Sequence, residues 1–311
     1  MLQKLIAFFM SIVAFFTGLF GGGKKSTKPE MTVQEYSGYV YGQNISYGKD
    51  ERHLMDMALP ADAAGKTIGL VLLIHGGAWI AGSKDIFSQD YLASFARSGY
   101  AVAAISYRYL SDSVHMEDLM DDVEAALRMI KYIGAIRGIN IEKCLLTGGS
   151  AGAHMSLLYA YSRQQSAPIR PVAVVSNCGP TDLTIPAQIE NSAIGSTAKM
   201  LELVSWATGV TLSEKDYNKK NSQYEKVMAA ARAESPLYYA DTAVPTVIAH
   251  GEKDSVVPYS GAVALDKALT ARNIRHDFVS FPNSDHGLDR DPDCTMLVNQ
   301  LLVQYAAEYL N

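Results

Sequence analysis

The sequence predicts one α/β domain: a doubly wound, mostly parallel sheet of eight strands, opened by two antiparallel ones. Three observations carry this. From about Gln34 onward strand-like and helix-like stretches alternate with turn residues between them, the order that yields parallel strands joined by helices. Several of the strands are unbroken Val, Ile, Leu and Ala runs, as expected where helices cover both faces of a sheet. The 311 residues, 48% hydrophobic and 19% charged with 24 Gly and 11 Pro, suffice for a large core and exclude a disordered, collagenous or multipass chain.

The elements follow in order. Tyr39 to Tyr47 and His53 to Leu59 form the opening antiparallel pair, and Gly69 to Ile74 is the first apolar parallel strand. A helix over Asp85 to Ser98 leads to a strand over Ala101 to Tyr107. Glu117 to Ile133 places Leu119, Val123, Leu127 and Ile130 at helical spacing, with acids early and a lysine late, which suits the helix dipole. Then come a strand over Lys143 to Thr147, a helix over Ala151 to Tyr161 and a strand over Val172 to Ser176. The rhythm breaks after this sixth strand: about 60 residues, Asp182 to Pro245, hold helix-like pieces without a strong strand. An insertion of that size is usually functional, and a helical lid over about 183–234 is expected. Strands over Thr246 to His250 and His276 to Phe281, with helices over Gly261 to Arg272 and Thr295 to Tyr309, complete the chain.

The first 30 residues stand apart from the domain expected over 31–311. Between Lys4 and Lys24 lie 19 residues without a charge, a length between a signal-peptide core and a full membrane span. Lys4 supplies a basic flank, and Gly21 and Gly23 could serve a cleavage site, although Lys24, Lys25 and Lys28 follow closely. The segment 5–23 is read as a leader or membrane anchor, which favours export over a cytoplasmic body. Four of the 27 Lys+Arg lie in the first 28 residues, so the rest carries 23 against 32 acids. A body this acidic offers no basic face for nucleic acid. Cys144, Cys178 and Cys294 are far apart and show neither metal-ligand spacing nor a disulfide framework.

The chemistry centres on Gly148-Gly149-Ser150-Ala151-Gly152, a G-x-S-x-G between an apolar strand and a helical run. A sharp strand-to-helix turn lifts such a serine above the sheet as a nucleophile. Its base and orienting acid are expected at later strand ends in the order Ser, Asp, His. Asp254, in HGEKDSVVP, and His286, in PNSDHG, meet that order. Asp182 is the runner-up acid, and Asp285 merely adjoins His286. His250, His276, His53, His115 and His154 are assigned structural or packing roles from their positions. His75-Gly76-Gly77-Ala78-Trp79 follows the third strand; Gly76 and Gly77, with Ala151 after the nucleophile, are expected to aim backbone N–H groups at an oxyanion. His75 is read as ordering that loop. Gly148, Gly149 and Gly152 are likewise expected where the backbone meets substrate. Trp79, Leu183 and Trp206 are candidate pocket walls.

Two other patterns fail on inspection. GAWIAGSK at Gly77 to Lys84 has P-loop glycine spacing but places serine before lysine. GGSAGA lacks the second glycine of a dinucleotide fingerprint. No cofactor is implied, nucleotide or metal.

HGGAW, GGSAGAH, GPTDL after the sixth strand, Ser235-Pro236-Leu237, HGEKDSVVP and the late DHG together resemble the α/β-hydrolase superfamily. More narrowly they resemble its hormone-sensitive-lipase-like and acetyl-xylan/feruloyl-esterase (BD-FAE-like) branch. The likeness runs from about Tyr36 to the C-terminus. It implies Ser150, Asp254 and His286 as a triad, Gly76, Gly77 and Ala151 as oxyanion donors, and a serine carboxylesterase acting on short-chain, acetyl-type esters, with a small ester or an acylated carbohydrate as substrate. Where that family often has D/N-Y-R-L-A-P-E, this chain has Ser106-Tyr107-Arg108-Tyr109-Leu110-Ser111-Asp112, which leaves the finer subfamily open. An arylformamidase would use the same triad. A non-catalytic binding protein on this fold would have lost a triad member, and all three are present.

Overall fold

The computed structural model describes residues 29–184, 197–211, 213–217 and 220–311. The expected leader or anchor 5–23 and part of the expected lid lie outside the described residues. Among these residues, no helix is long and apolar enough to cross a membrane.

Nine strands form one sheet: β1 (Thr32–Tyr36), β2 (Tyr39–Ser46), β3 (Leu54–Pro60), β4 (Leu70–Ile74), β5 (Ala101–Ile105), β6 (Lys143–Gly149), β7 (Arg170–Asn177), β8 (Thr246–Gly251) and β9 (His276–Phe281). Their order is β1-β2-β3-β5-β4-β6-β7-β8-β9. The first three strands are antiparallel additions, and β5-β4-β6-β7-β8-β9 are parallel neighbours.

One correction concerns the strand count. The eight expected strands correspond to β2–β9, and β1 precedes them. Its sequence TVQEY is exposed at four of five positions, so no apolar run marks it. It forms because the pairing Tyr36↔Tyr39 closes a two-residue turn, with Gly38 at φ +87°, and a hairpin then satisfies the backbone of both strands.

Alternation along the central strands sorts the core into two layers. Leu70, Leu72 and Ile74 of β4 pack on one face with Leu119, Val123, Leu127 and Ile130, which belong to α2 (Met116–Ile136). Val71 and Leu73 face the other layer with Leu92 and Phe95 and with Leu301 and Tyr305, from α1 (Gln89–Arg97) and α7 (Pro292–Tyr309). Helices α3 (Ala151–Ser162) and α6 (Tyr259–Ala271) extend the first layer over β7 and β8, where Leu157 and Leu265 meet Val174 and Ile248. Helix α1 starts four residues later than expected: a 3-10 turn at Lys84–Ile86 precedes it, and Ser88 caps it by accepting from the Tyr91 N–H at 3.2 Å. Two further helices, α4 (Thr197–Thr208) and α5 (Tyr224–Ala233), lie in the insertion between β7 and β8.

Candidate active site

The strand order reverses between β4 and β6, and open α/β sheets bind ligands in the crevice at the carboxyl ends of such strands. The HGGAW loop leaves β4 there, and Ser150 leaves β6. Ser150 has φ +55° and ψ −122°, a conformation costing an L-residue on the order of 1–3 kcal/mol. Its N–H donates to the Asn177 carbonyl at 2.8 Å and its carbonyl accepts from the His154 N–H at 3.0 Å, so strand and helix pin both sides of the turn. Ala151 is the first residue of α3, and its N–H has no intrahelical acceptor.

Two of the motif glycines have another cause than the one expected. A Cβ on Gly152 would collide with the Ile74 carbonyl, and one on Gly148 would meet the same carbonyl. They permit α3 to close onto β4, so substrate contact is not what requires them. At Gly76 a Cβ would lie 2.8 Å from the Gly149 carbonyl oxygen and 3.4 Å from Ser150 Cβ, so here the loop runs directly beside the turn.

That loop is left-handed over three residues: Gly77, Ala78 and Trp79 have φ of +115°, +50° and +62°. The Ile80 and Ala81 N–H groups donate to the Gly77 carbonyl at 3.0 and 2.9 Å, while those of Gly76 and Gly77 reach no backbone acceptor among the described residues. The loop is braced from beneath. His75 stacks on Tyr107 at 4.2 Å, and the Tyr107 hydroxyl donates to the His75 carbonyl at 2.9 Å. Burial lowers the pKa of His75 to about 4, against the opposing pull of the Gly76 carbonyl, and its neutral ring donates from Nδ1 to that carbonyl at 2.6 Å. Arg52 and Tyr109 both donate to the Gly82 carbonyl, at 2.8 and 2.6 Å. Lys84 is buried and paired to Asp56 at 3.0 Å, while its N–H donates to Ser106 Oγ at 2.9 Å. The segment Ser106 to Tyr109, set apart in the sequence only as a departure from a motif, is therefore a support of this loop.

Asp254 and His286 meet at the carboxyl end of the sheet: His286 Nδ1 lies 2.8 Å from Asp254 Oδ2. The acid is fully buried and the ring 25% exposed. The other carboxylate oxygen, Oδ1, accepts from the Val256 and Val257 N–H groups at 2.9 and 2.8 Å. Burial pushes the Asp254 pKa up, but hydrogen bonds from His250, His286 and the Val257 N–H outweigh it and hold the carboxyl well below the usual range. Hydrogen bonding to Asp254 thus makes it a fixed anion.

The loops carrying these two residues are tied together. A Cβ on Gly251 would lie 2.5 Å from the Ser284 carbonyl oxygen, so β8 fits against the His286 loop only with glycine there. Asp285 accepts from the Ser255 and His286 N–H groups at 2.8 and 2.7 Å, and Asp291 accepts from the Asn283 N–H and Ser284 Oγ at 3.0 and 2.6 Å. The runner-up acid Asp182 instead accepts from Thr184 N–H and Oγ1. His53 pairs with Asp122 at 2.9 Å, His115 with the Trp206 carbonyl at 2.8 Å and His276 with Asp266 at 3.1 Å. His154, buried in α3, donates to the Glu234 carbonyl at 2.7 Å.

A cavity of about 60 Å³ opens beside Ser150, bordered by Ala78, Trp79, Leu183, Met200, Val256 and Val257 among others. Trp79 and Leu183, two of the candidate walls, both border it. Trp206 does not border this cavity: it lines a neighbouring polar pocket with Asp112 and His115, and its Nε1 donates to Asp112 at 2.7 Å. From α4 it is Met200 that reaches the Ser150 cavity, a residue the sequence reading passed over because a lone methionine carries no signal. Among the described residues one group, Cys178, His250 and Asp254, brings three potential metal-ligand atoms within 4.8 Å of one another, but His250 and Asp254 are already hydrogen-bonded partners at 3.1 Å.

A strained serine on a strand-to-helix turn of a mostly parallel, nine-stranded sheet defines an α/β-hydrolase. Within that class the chain belongs to the BD-FAE family, whose model matches residues 55–269. Among its relatives are several carboxylic ester hydrolases. "Probable carboxylic ester hydrolase LipM" of Mycobacterium tuberculosis is 24% identical over 93% of this chain and 67% of its own length. Esterase LipQ of the same organism is 25% identical over 79% of this chain, which spans 57% of LipQ. Among solved structures, esterase B from Lactobacillus rhamnosis superposes with a TM-score of 0.66 at 20% identity, covering 98% of this chain and 94% of that one. A truncated carbohydrate esterase from gut microbiota gives 0.62 at 19% identity, with 92% and 100% covered.

Proposed function

We propose that the protein is a serine carboxylic-ester hydrolase acting on short-chain acyl esters. The observation that carries the reading is the backbone of Ser150, held at φ +55° and ψ −122° beside a left-handed loop with open N–H groups. In this reading Ser150 Oγ attacks the ester carbonyl while His286 takes its proton at Nε2. The Asp254 carboxylate holds Nδ1 and offsets the charge of the imidazolium. The N–H groups of Gly76, Gly77 and Ala151 face the oxyanion, each such donor being worth roughly 3–4 kcal/mol of barrier. Collapse breaks the ester C–O bond, and the leaving alcohol takes the proton from His286. Water then repeats the sequence on the acyl-enzyme, freeing the acid and Ser150.

The cavity of about 60 Å³ suits an acetyl-sized group, and Met200 of the inserted segment at its wall supports a lid over about 183–234. An acylated carbohydrate is the natural larger substrate to test, supported by the likeness to a carbohydrate esterase. The first 30 residues are proposed to act as an export leader or membrane anchor for the catalytic domain 31–311, placing it outside the cytoplasm. The reading is tested with a fluorophosphonate probe and mass spectrometry: Ser150 is expected to be labelled, and Ser150→Ala to lose both labelling and hydrolysis of p-nitrophenyl acetate. Wild-type turnover by a folded Ser150→Ala protein would overturn it.

A further inference from the structure

His250 is the last side chain of β8 before Gly251 and is 1% exposed. Its Nε2 lies 3.1 Å from Asp254 Oδ2 and 3.0 Å from the Val257 carbonyl oxygen. Both partners only accept, so Nε2 carries the hydrogen; it donates to the Val257 carbonyl and lies within ion-pair distance of Oδ2, where it favours the charged carboxylate. Asp254 Oδ2 is also the oxygen bonded to His286 Nδ1, at 2.8 Å. One carboxylate oxygen therefore serves two histidines, while the other is taken by the Val256 and Val257 N–H groups.

We propose that His250 is a positioning residue for the reaction, acting on His286 through Asp254. The proposal rests on the serine-hydrolase reading. By presenting that N–H to the shared oxygen, His250 fixes the plane of the carboxylate and draws off part of the negative charge it presents to the His286 imidazolium. Without it the charge falls on His286 alone, its protonated form is held more tightly, and a higher pH is needed to free the base. The other groups facing this centre are the Cys178 thiol, close enough to Asp254 and His250 to share a ligand set, and Asp285, which is turned to Ser255 and the His286 N–H. Tyr259 of α6 meets the His250 ring edge-on at 6.0 Å while its hydroxyl is engaged with Ser280 at 2.8 Å. The Cys178 thiol also bonds to the Asp254 carboxylate, but a thiol is a weak donor beside an imidazole N–H, so the effect is assigned to His250.

The test compares pH profiles of kcat/KM for p-nitrophenyl acetate in wild type, His250→Leu, His250→Gln and His250→Asn. In His250→Leu the acid limb is expected to move up by about one pH unit, with KM within about twofold. Gln, whose amide N–H reaches about as far as Nε2, is expected to restore the limb, and the shorter Asn is not. A folded Leu variant with an unmoved limb would overturn the proposal. If Leu fails to fold, Gln and Asn decide: equal profiles for the two overturn it, and a limb displaced in Asn alone supports it. The Ser150→Ala control separates the two levels, because turnover retained there sinks the hydrolase reading, whereas loss of turnover with immobile limbs sinks only the role of His250.

Discussion

Ile74 of β4 and Gly148 of β6 are partners in a parallel register, and the Ile74 carbonyl fills the space that side chains at Gly148 and Gly152 would occupy. This pairing brings the HGGAW loop alongside the Ser150 turn, since each continues its strand past the paired residues. The distance between the HGGAW loop and Ser150 is thus fixed by sheet register.

The two kinds of glycine should then separate by variant. Gly76→Ala places a methyl 2.8 Å from the Gly149 carbonyl oxygen and 3.4 Å from Ser150 Cβ, so the loop must draw back and its donors with it. A kcat loss of about 10²–10³, the cost of one oxyanion donor, is expected with the circular dichroism spectrum retained. Gly152→Ala strikes backbone on both the Ile74 carbonyl at the end of β4 and the His75 carbonyl just beyond it, which cannot yield as a side-chain end can. Loss of soluble protein, or a large fall in Tm, is expected there. A Gly152→Ala enzyme of normal Tm would contradict the packing account.

Asp254→Asn keeps the volume and leaves Oδ1 to the Val256 and Val257 N–H groups, but it removes the charge facing His286 and can present an amide N–H where Nδ1–H must donate. A kcat lower by roughly 10⁴ is expected, the effect of losing the required tautomer, with KM for a nitrophenyl ester nearly unchanged. Steady-state kinetics alone decide it: a loss below about tenfold would remove Asp254 from the mechanism.

Acyl preference is expected to follow the wall residues. Leu183 is 5% and Met200 7% exposed, and both border the cavity beside Ser150. Leu183→Ala or Met200→Ala should raise the ratio of kcat/KM for butyrate over acetate esters by roughly tenfold, since one methylene in an apolar pocket is worth about 1–3 kcal/mol. Trp206→Ala, in the neighbouring pocket, should leave that ratio within about twofold. If Trp206→Ala shifts it as much as the wall variants do, the boundary of the acyl site is drawn wrongly.

What could be read from the sequence followed periodicity and strand ends. The buried runs of β4 to β8 announce themselves because both faces are covered. Ser150, Asp254 and His286 each follow a strand in a fixed chain order, which a linear pattern can express. β1 escaped because an exposed edge strand is held by backbone pairing, which leaves no apolar trace. The supports Arg52, Tyr107 and Tyr109 come together only once β4 and β5 are paired; Arg52 Nε donates to the Tyr107 carbonyl at 2.7 Å across 55 residues of chain. Trp206, a candidate wall in the sequence, stands instead in the neighbouring pocket with its ring nitrogen committed to Asp112, a placement that depends on how the insertion folds and leaves no mark in a linear pattern.

Glu234 gives a stability effect whose sign can be worked out. Burial raises its pKa to about 7, the Glu117 carboxylate adding to the rise and Arg163 opposing it, against about 4.3 in an unfolded chain. The folded state thus keeps a proton that the unfolded state has lost between those values. The contribution is fully present below about pH 4.3 and is lost as pH rises through about 7. Glu234→Gln retains a neutral group at every pH and leaves the backbone carbonyl that accepts from His154 at 2.7 Å. The variant should match wild type near pH 4.5 and exceed it at pH 8 by about 1–2 kcal/mol, or roughly 2–6 °C in Tm for a domain of this size. Thermal unfolding across pH 4.5–8 checks this, and a gap that stays constant with pH would show that Glu234 is ionised throughout in the folded protein.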